Sequence, residues 1–399
     1  MCPLSRRRFL IVSSAAAAAA GASIGAPEDI LSHPRGWVTE LERPRVLRDA
    51  EGCLKIPPRT IVSAPAPRSA GGPHDYYSEG DYWWPDPRDP DGPYLRRDGE
   101  SNPANFVAHR DLLIRLSIEV PALTAAWILT SRREFAAHAA AHLRAWFVEP
   151  ATRMNPNLQY AQAIHGVDTG RSIGIIDTLH LVEVAQSAIV LARDSAYEPF
   201  IREGVRAWFA AYLSWLTTSA RGQEEREARN NHGSCWLLQA AGFATLTNND
   251  AVRNACRERF KKEILPAQIA ADGSFPLELA RTKPYSYSLF NLDVLGMSAH
   301  LLSDSEDDLW TFRLPDGRSV EGCFRFLVPY IASKSSWPYR RDVEYFDALP
   351  VRQPSLLFAG IAYRERGYLE LWRRLDPDPQ AQEIIRNHPI RQPLLWLHE

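Results

Sequence analysis

Residues 112–128 read Leu112-Leu113-Ile114-Arg115-Leu116-Ser117-Ile118-Glu119-Val120-Pro121-Ala122-Leu123-Thr124-Ala125-Ala126-Trp127-Ile128. Apolar side chains recur there at three- and four-residue spacing, which places them on one face of a helix. Similar patterns cover about 133–148, 172–192, 197–218, 233–246, 250–264, 286–303, 320–332 and 353–374, whereas strand alternation is scarce. Helices paired by short loops, several of them apolar nearly all round, predict an inner and an outer ring. The expected fold is therefore all-α, an (α/α) toroid.

The segments before this helical region have a different composition. Residues 27–75 are rich in Pro, Arg and Ser without a sustained period, which predicts irregular structure. The stretch from Tyr76 to Asn105 is dense in Pro, Asp, Gly and aromatic residues, which predicts a long ordered loop. Because the chain shows neither a repeat nor a strong linker, we expect one domain over residues 76–399.

The N-terminus has the pattern of an export signal. Ser5-Arg6-Arg7-Arg8-Phe9-Leu10 precedes an alanine-rich run that ends near Ala22. This is typical of a twin-arginine signal peptide, here residues 1–26, and it predicts a periplasmic or secreted protein. A membrane anchor is the alternative, but the apolar run is shorter than the roughly 20 residues of a span. We expect no membrane association after cleavage.

Composition limits the partners and cofactors. The 399 residues carry a formal net charge of -2, which argues against general nucleic-acid binding. After the signal, four widely spaced cysteines remain and form no CxxC pair, so a zinc site is not expected. They are either reduced and buried or joined in a disulfide. We expect no metal, no cofactor and a monomer.

A first candidate site is Asn230-Asn231-His232-Gly233-Ser234-Cys235-Trp236. The charged run 224–227 gives way here to apolar residues, so Asn231 and His232 should lie near a helix N-terminus, where an anion is favoured. A substrate carboxylate could bind there. Alternatively, Asn230 or Asn231 only caps the helix and His232 is a surface residue.

A second candidate block is Glu278-Leu279-Ala280-Arg281, followed by Tyr285 and Tyr287. The guanidinium of Arg281 can bind a carboxylate through two hydrogen bonds, or it can pair with Glu278 or Asp272. Tyr287 could point into a cleft, and as a base it would need a nearby positive charge, which Arg281 would supply. Packing in the core is the alternative for both tyrosines.

In the first two blocks, Asn230 and Tyr285 are candidate substrate-binding residues, and two further blocks carry more. The aromatic cluster Tyr82-Trp83-Trp84 could stack on sugar rings, or it could anchor its own loop to the helices. Polar residues of the segment 154–174 could bind sugar hydroxyls or could be buried structural groups. These residues are Asn157, Gln162 and Arg171.

Together the four blocks resemble the alginate lyase superfamily, from about Tyr76 to Phe358. The short segment 282–286 between Arg281 and Tyr287 is similar to polysaccharide lyase family 38. The resemblance implies an incomplete (α/α)6-7 barrel and roles for four residues. Asn231 and Arg281 would neutralise a uronate carboxylate, His232 would bind it or act as base, and Tyr287 would act as acid or as both acid and base.

The chemistry implied is β-elimination in a polyuronate, alginate or glucuronan, which needs a carboxylate neutraliser, a base and an acid but no obligatory metal. The partner would be an acidic polysaccharide bound in a locally basic cleft. One alternative is a glycoside hydrolase on the same fold, which would need two carboxylates, Glu278 with Asp272 or Asp293. The other is a polysaccharide-binding protein without turnover.

Overall fold

The structure is a computed structural model that describes residues 29–397, so the predicted signal peptide lies outside the described residues. Four short strands are β1 (Tyr77–Glu79), β2 (Trp83–Trp84), β3 (Leu95–Arg96) and β4 (Tyr160–Ala163). The helices are α1 (Asp29–Ser32), α2 (Pro34–Cys53), α3 (Ala108–Thr130), α4 (Arg133–Phe147), α5 (Leu181–Leu191), α6 (Pro199–Thr218), α7 (Ala220–Arg226), α8 (Asn231–Thr247), α9 (Asp250–Arg259), α10 (Leu265–Gln268), α11 (Pro276–Leu279), α12 (Pro284–Leu302), α13 (Val320–Ala332), α14 (Pro354–Ala362), α15 (Arg366–Arg374) and α16 (Gln382–Arg386).

The long helices form two layers. The inner helices α3, α5, α8, α12 and α14 pack each against the next in that order. The helices α4, α6, α9, α13 and α15 lie outside them, and each packs on at least one inner helix. Inner helices such as α8 and α12 are buried almost all round, whereas α6 and α13 bury one stripe. The predicted (α/α) toroid is therefore confirmed.

Most helix positions agree with the apolar periodicity. Helix α13 coincides with the predicted range 320–332. The range 172–192 begins with a 3-10 segment, Ser172–Thr178, and 250–264 ends in a π-helical turn, Phe260–Ile264. The range 353–374 is two helices separated by a turn in which Arg364 has a φ of 53°. A helical period that continues across a short turn does not reveal the break.

The prediction of irregular structure for residues 27–75 is wrong for α2, a helix of 20 residues. Its buried face consists of Val38, Glu42, Val46, Ala50 and Cys53, which have helical spacing. Glu42 interrupts the apolar stripe in the sequence, and its carboxylate is neutralised by arginines in the folded protein. The charged residue therefore concealed an amphipathic helix.

The aromatic segment 76–105 is an ordered connection, as predicted, but it contains three short strands. Strands β2 and β3 form an antiparallel pair, and β1 pairs in parallel with β4. Strand β4 therefore connects this segment to the rest of the protein. Near the two ends of the segment, the Asn105 side chain donates to the Gly80 carbonyl oxygen at 2.7 Å. These contacts hold Tyr82 and Trp83 beside the helix ends.

Helix α3 has the length and composition of a membrane span, but 67% of its most apolar stretch is buried inside the protein. It packs against α2, α4 and α5. This burial is typical of a core helix in a helical toroid.

The cysteines of the described residues are Cys53, Cys235, Cys256 and Cys323, and all four are buried and unpaired. Burial raises the pKa of Cys53 and of Cys256 to about 12. A thiol without thiolate character is a poor nucleophile, so these residues serve packing.

Candidate active site

A cavity of about 660 Å³ lies between the N-terminal ends of α8 and α12, the loop that carries β2 and β3, and α16. A volume of this size is typical of small-molecule and oligosaccharide sites. It brings together most of the predicted site residues, namely Tyr82, Trp83, Gln162, Arg171, Asn230, Asn231, His232, Arg281 and Tyr287.

Three predicted substrate-binding residues, Trp84, Asn157 and Tyr285, do not line this cavity. The Trp84 indole donates to a loop carbonyl at 3.0 Å, and the Asn157 side chain accepts a backbone N–H two residues on. Tyr285 is fully buried, and its hydroxyl donates to the Tyr330 carbonyl oxygen at 3.0 Å. The structure therefore does not bring these three residues into the cavity, and Tyr285 is a core residue as in the structural alternative.

His232 lies in the first turn of α8, as predicted. Asn230 caps this helix, and its side-chain oxygen accepts the His232 backbone N–H at 3.3 Å. The His232 Nδ1 lies 2.7 Å from an oxygen of Glu225, which is 1% exposed. Burial opposes a charge on the ring, but the Glu225 carboxylate outweighs it and raises the pKa of His232. Nε2 is left as the ring nitrogen available to a ligand.

Tyr287 lies in the first turn of α12, beside two cationic groups. Its hydroxyl is 2.8 Å from the Tyr82 hydroxyl and accepts from Arg281 Nη2 at 3.3 Å. The Arg281 guanidinium also lies over the Tyr287 ring, 4.4 Å from its centroid. Burial nevertheless outweighs Arg281 and Lys283, and it raises the pKa of Tyr287. The phenol is therefore neutral at neutral pH and is suited to donate a proton.

Arg281 pairs with Asp98, not with Glu278 or Asp272. Its Nε and Nη2 donate to the two Asp98 carboxylate oxygens at 3.2 and 2.9 Å. This pairing fixes the plane of the guanidinium. Among the described residues Nη1 makes no hydrogen bond, so this nitrogen can bind a ligand.

Asn231 is 2% exposed and is held by Glu278. Its backbone N–H and its side-chain Nδ2 donate to the two Glu278 oxygens at 2.7 and 2.6 Å. Glu278 therefore links α11 to the start of α8 and sets the orientation of the amide. Among the described residues the second N–H of that amide makes no hydrogen bond, and Asn231 lines the cavity.

Sequence reasoning missed the partners of the site residues. Glu225 belongs to the charged run 224–227, and its position seven residues before His232 could have indicated a pair. Asp98 and Arg386 come from distant segments, and no local pattern connects them with the site. Arg386 lies in α16, near the C-terminus, and binds Asp81 at 2.8 Å.

The cavity is basic although the chain is not. Two carboxylates line it, Asp81 and Glu383. The cationic lining residues are more numerous and comprise Arg96, Arg171, Arg229, Arg281 and Arg386. Such an excess attracts anions into a cleft.

None of the three carboxylates predicted for a glycoside hydrolase, Glu278, Asp272 and Asp293, lines the cavity. Glu278 is bound by Asn231, and Asp293 is 1% exposed and accepts the Ser355 backbone N–H at 3.0 Å. Asp272 accepts a backbone N–H within its own turn. The two carboxylates that do line the cavity, Asp81 and Glu383, lie 2.8 and 3.4 Å from the Arg386 guanidinium. Both are therefore engaged in ion pairs, which does not suit the acid and base of that mechanism.

Comparison with known proteins identifies the family of this chain. The family described as alginate lyase matches residues 60–337. The structure of an alginate lyase from Bacteroides ovatus is 31% identical, with a TM-score of 0.80 over 94% of this chain and 97% of that chain. A variant of alginate lyase A1-III complexed with tetrasaccharide is 17% identical, with a TM-score of 0.56 over 89% and 94%, and shows the fold alone. The comparison with curated proteins gave no match.

The family match covers most of the chain, and the structure from Bacteroides ovatus shares its fold. The chain therefore belongs to the alginate lyase family and is a polysaccharide lyase.

Proposed function

We propose that this lyase cleaves a polyuronate, alginate or glucuronan, by β-elimination and leaves an unsaturated uronate at the new chain end. The observation that carries the proposal is the meeting, in one basic cavity, of a carboxylate-bound histidine and a neutral tyrosine. His232 can accept a proton, and Tyr287 can donate one. The reaction requires these two roles together with neutralisation of a carboxylate.

The first role is neutralisation of the substrate carboxylate. The C5 proton of a uronate is very weakly acidic while the adjacent carboxylate keeps its full charge. Arg281 Nη1 and the remaining amide N–H of Asn231 are the donors for this group. Asp98 fixes the orientation of Arg281, and Glu278 fixes that of Asn231. Donors that are already oriented lose little free energy to reorganisation in the transition state.

The second role is removal of the C5 proton, which we assign to His232 Nε2. Glu225 accepts the Nδ1 proton, so the lone pair of the neutral ring lies on Nε2. The same carboxylate stabilises the imidazolium that forms when the proton is taken. A buried carboxylate behind a histidine is a general arrangement for a base.

The third role is protonation of the leaving oxygen, which we assign to Tyr287. As the C5–H bond breaks, its electrons form the C4–C5 double bond, and the C4–O4 bond breaks. The Tyr287 hydroxyl gives its proton to O4, and Arg281 and Lys283 stabilise the phenolate left behind. No metal or organic cofactor enters these steps.

The relatives support the substrate class. The structure from Bacteroides ovatus is that of an alginate lyase, and the A1-III variant was complexed with tetrasaccharide. A chain of uronates fits a cavity lined by arginines and by the aromatic rings of Tyr82 and Trp83.

A panel of purified polyuronates tests the proposal. Alginates rich in mannuronate or in guluronate, and glucuronan, are incubated with the enzyme, and ultraviolet absorbance of the unsaturated product is followed. We expect absorbance to rise with at least one polymer. New reducing ends without absorbance would indicate hydrolysis, and binding without products would indicate a non-catalytic protein.

We also propose that the protein is exported by the twin-arginine route to the periplasm or the medium. The support is the sequence Ser5-Arg6-Arg7-Arg8-Phe9-Leu10, which lies outside the described residues. Replacing Arg6 and Arg7 by lysine should retain the full-length precursor in the cytoplasm. Unchanged export of that variant would contradict the proposal.

A further inference from the structure

Most arginines of the cavity are neutralised by a carboxylate of the protein. Arg96 and Arg281 lie 2.7 and 2.9 Å from the same oxygen of Asp98. Arg386 lies 2.8 Å from Asp81. Each of these guanidinium groups therefore has a carboxylate partner before any ligand binds, although Arg96 and Arg281 share theirs.

Arg171 differs, because within residues 29–397 it has no ion-pair partner. Its Nε donates to the Gln162 backbone oxygen at 2.8 Å, and its Nη2 is 3.4 Å from the Gln162 side-chain oxygen. Burial, assisted by the neighbouring charge of Arg96, lowers the pKa of Arg171 to about 10. A partly buried cation without a counter-ion is unfavourable in the free protein. Arg229 also lacks a carboxylate, but it is exposed and solvated by water.

The surroundings of Arg171 are built to hold it in place. Gln162 adopts a φ of +48°, which is uncommon for a residue other than glycine, and its side chain also donates to Asp177 at 3.1 Å. Gly80 leaves room for the guanidinium, since a Cβ there would lie 2.6 Å from Arg171 Nη2. The Trp83 ring centroid lies 5.6 Å from Arg171 Cζ. The unbalanced charge is therefore kept beside an aromatic ring.

We propose that Arg171 and Trp83 form a second uronate subsite, in which the guanidinium binds the carboxylate of a sugar next to the one that reacts. Arg171 thereby determines specificity for two uronates in succession. This inference rests on the proposed function, which assigns the reacting carboxylate to Asn231 and Arg281.

The order of residues in the loop explains why this subsite adjoins the catalytic groups. Tyr82 and Trp83 are consecutive, yet the Tyr82 hydroxyl contacts Tyr287 whereas the Trp83 ring contacts Arg171. Because Tyr287, Trp83 and Arg171 line the same cavity, a sugar next to one held at Tyr287 can lie beside Trp83. In a polyuronate every ring carries one carboxylate, so this neighbour supplies the missing counter-ion. The apolar face of its ring can pack on the indole.

The test compares Arg171→Gln and Arg171→Lys with the wild type on a fully charged polyuronate and on the same polymer after partial reduction of its carboxylates. Arg88→Gln is the matched control, because Arg88 is in the same loop region as Trp83, is 85% exposed and lies outside the cavity. Arg171→Gln and Arg88→Gln each remove one positive charge, whereas Arg171→Lys keeps the charge and changes the shape of the group. KM, kcat and the melting temperature are measured for all.

We expect Arg171→Gln to raise KM on the charged polymer about 10-fold or more, the effect of losing one charge-assisted contact. The value of kcat should change little. Arg171→Lys should recover part of the affinity because it keeps the charge without the planar fork. On the partly reduced polymer the difference in KM between wild type and Arg171→Gln should shrink. Arg88→Gln should match the wild type throughout.

An unchanged KM for Arg171→Gln would overturn the subsite, and a lowered melting temperature with that result would show that Arg171 only supports the loop. A fall in kcat with constant KM would place Arg171 in the reaction instead. If the wild type forms no unsaturated product from any polyuronate, the proposed function is wrong, but this result does not decide whether the subsite exists. Calorimetric binding of an oligouronate then tests the subsite, and equal Kd values for wild type and Arg171→Gln would overturn it.

Discussion

Burial and neighbouring charges act in opposite directions on the two residues to which we assign proton transfer. At His232 the Glu225 carboxylate outweighs burial, and the pKa of the imidazole is raised. At Tyr287 burial outweighs Arg281 and Lys283, and the pKa of the phenol is raised above its ordinary value. The histidine is therefore a strengthened base, and the tyrosine keeps its proton. This division favours His232 as base and Tyr287 as acid.

The two tyrosines near the start of α12 provide a matched pair of variants. Tyr287→Phe should lower kcat at least ~10²-fold, the usual contribution of a general acid or base. Tyr285→Phe should retain most turnover, because its hydroxyl lies outside the cavity and donates to the Tyr330 carbonyl oxygen. Steady-state kinetics with ultraviolet detection measures both. An inactive Tyr285→Phe beside an active Tyr287→Phe would show that the motif has been assigned two residues out of register.

Removal of the Glu225 charge should change the pH dependence of turnover. His232 must be neutral to accept the C5 proton, so kcat should rise with pH through the pKa of His232. Glu225 raises that pKa, whereas burial lowers it. In Glu225→Gln the acid limb of the profile should therefore move to lower pH, and the plateau of kcat should fall roughly 10- to 100-fold because the base is weaker. A limb that moves to higher pH would contradict the assignment.

At the level of elements, the two residues to which we assign proton transfer lie at helix N-termini, one capped by a local amide and the other by a carboxylate distant in sequence. Asn230 caps α8, and Asp342 accepts the backbone N–H groups of Tyr285 and Ser286 at 2.8 and 2.9 Å at the start of α12. A carboxylate is favoured at this end of a helix by the free N–H groups and by the helix dipole. The caps therefore fix the first turns, which carry His232 and Tyr287.

Loss of the α12 cap should reduce stability. Asp342→Ala should lower the free energy of unfolding by about 1–3 kcal/mol, because two buried N–H groups lose their acceptor. It should also lower kcat, since the first turn that carries Tyr287 is less well fixed. Urea unfolding and kinetics measure the two effects. The control is Asp316→Ala, an exposed turn aspartate far from the cavity, and an equal loss of stability in both variants would refute the capping role.

At the level of the whole molecule, a chain of net charge -2 places a group of arginines around one cavity. The toroid collects them from the aromatic loop, from the segment before α5, from the residues just before α8, from the connection between α11 and α12, and from α16. A polyanion is thus attracted to one region of a nearly neutral surface. Long-range attraction of this kind acts on association with the substrate more than on the chemical step.

The rate at low substrate should therefore fall as salt rises. Exposed charges are screened beyond about 8 Å at physiological ionic strength. We expect kcat/KM to decrease with added sodium chloride, whereas kcat at saturation should change much less because the reacting groups are buried. Initial rates over a range of salt concentrations measure both. A kcat/KM that does not depend on salt would count against a charged substrate.

The sequence by itself determined most of the helical elements, and it predicted a set of residues most of which the fold brings into one cavity. Helical periodicity is a local property, so the position of α13 and the start of α8 beside His232 could be read directly. The same reasoning failed for α2, where the buried Glu42 broke the apolar pattern, and for Tyr285, whose burial no local signal reveals.

Only the tertiary structure decided which groups act together. Arg281 meets Asp98 from 183 residues away, and the hydroxyls of Tyr287 and Tyr82 meet across 205 residues. Such contacts depend on how the helices close into a ring, because that closure brings loops from opposite ends of the chain to the same helix ends. The balance between burial and neighbouring charge at each titratable group follows from this packing, and so does the unbalanced charge of Arg171.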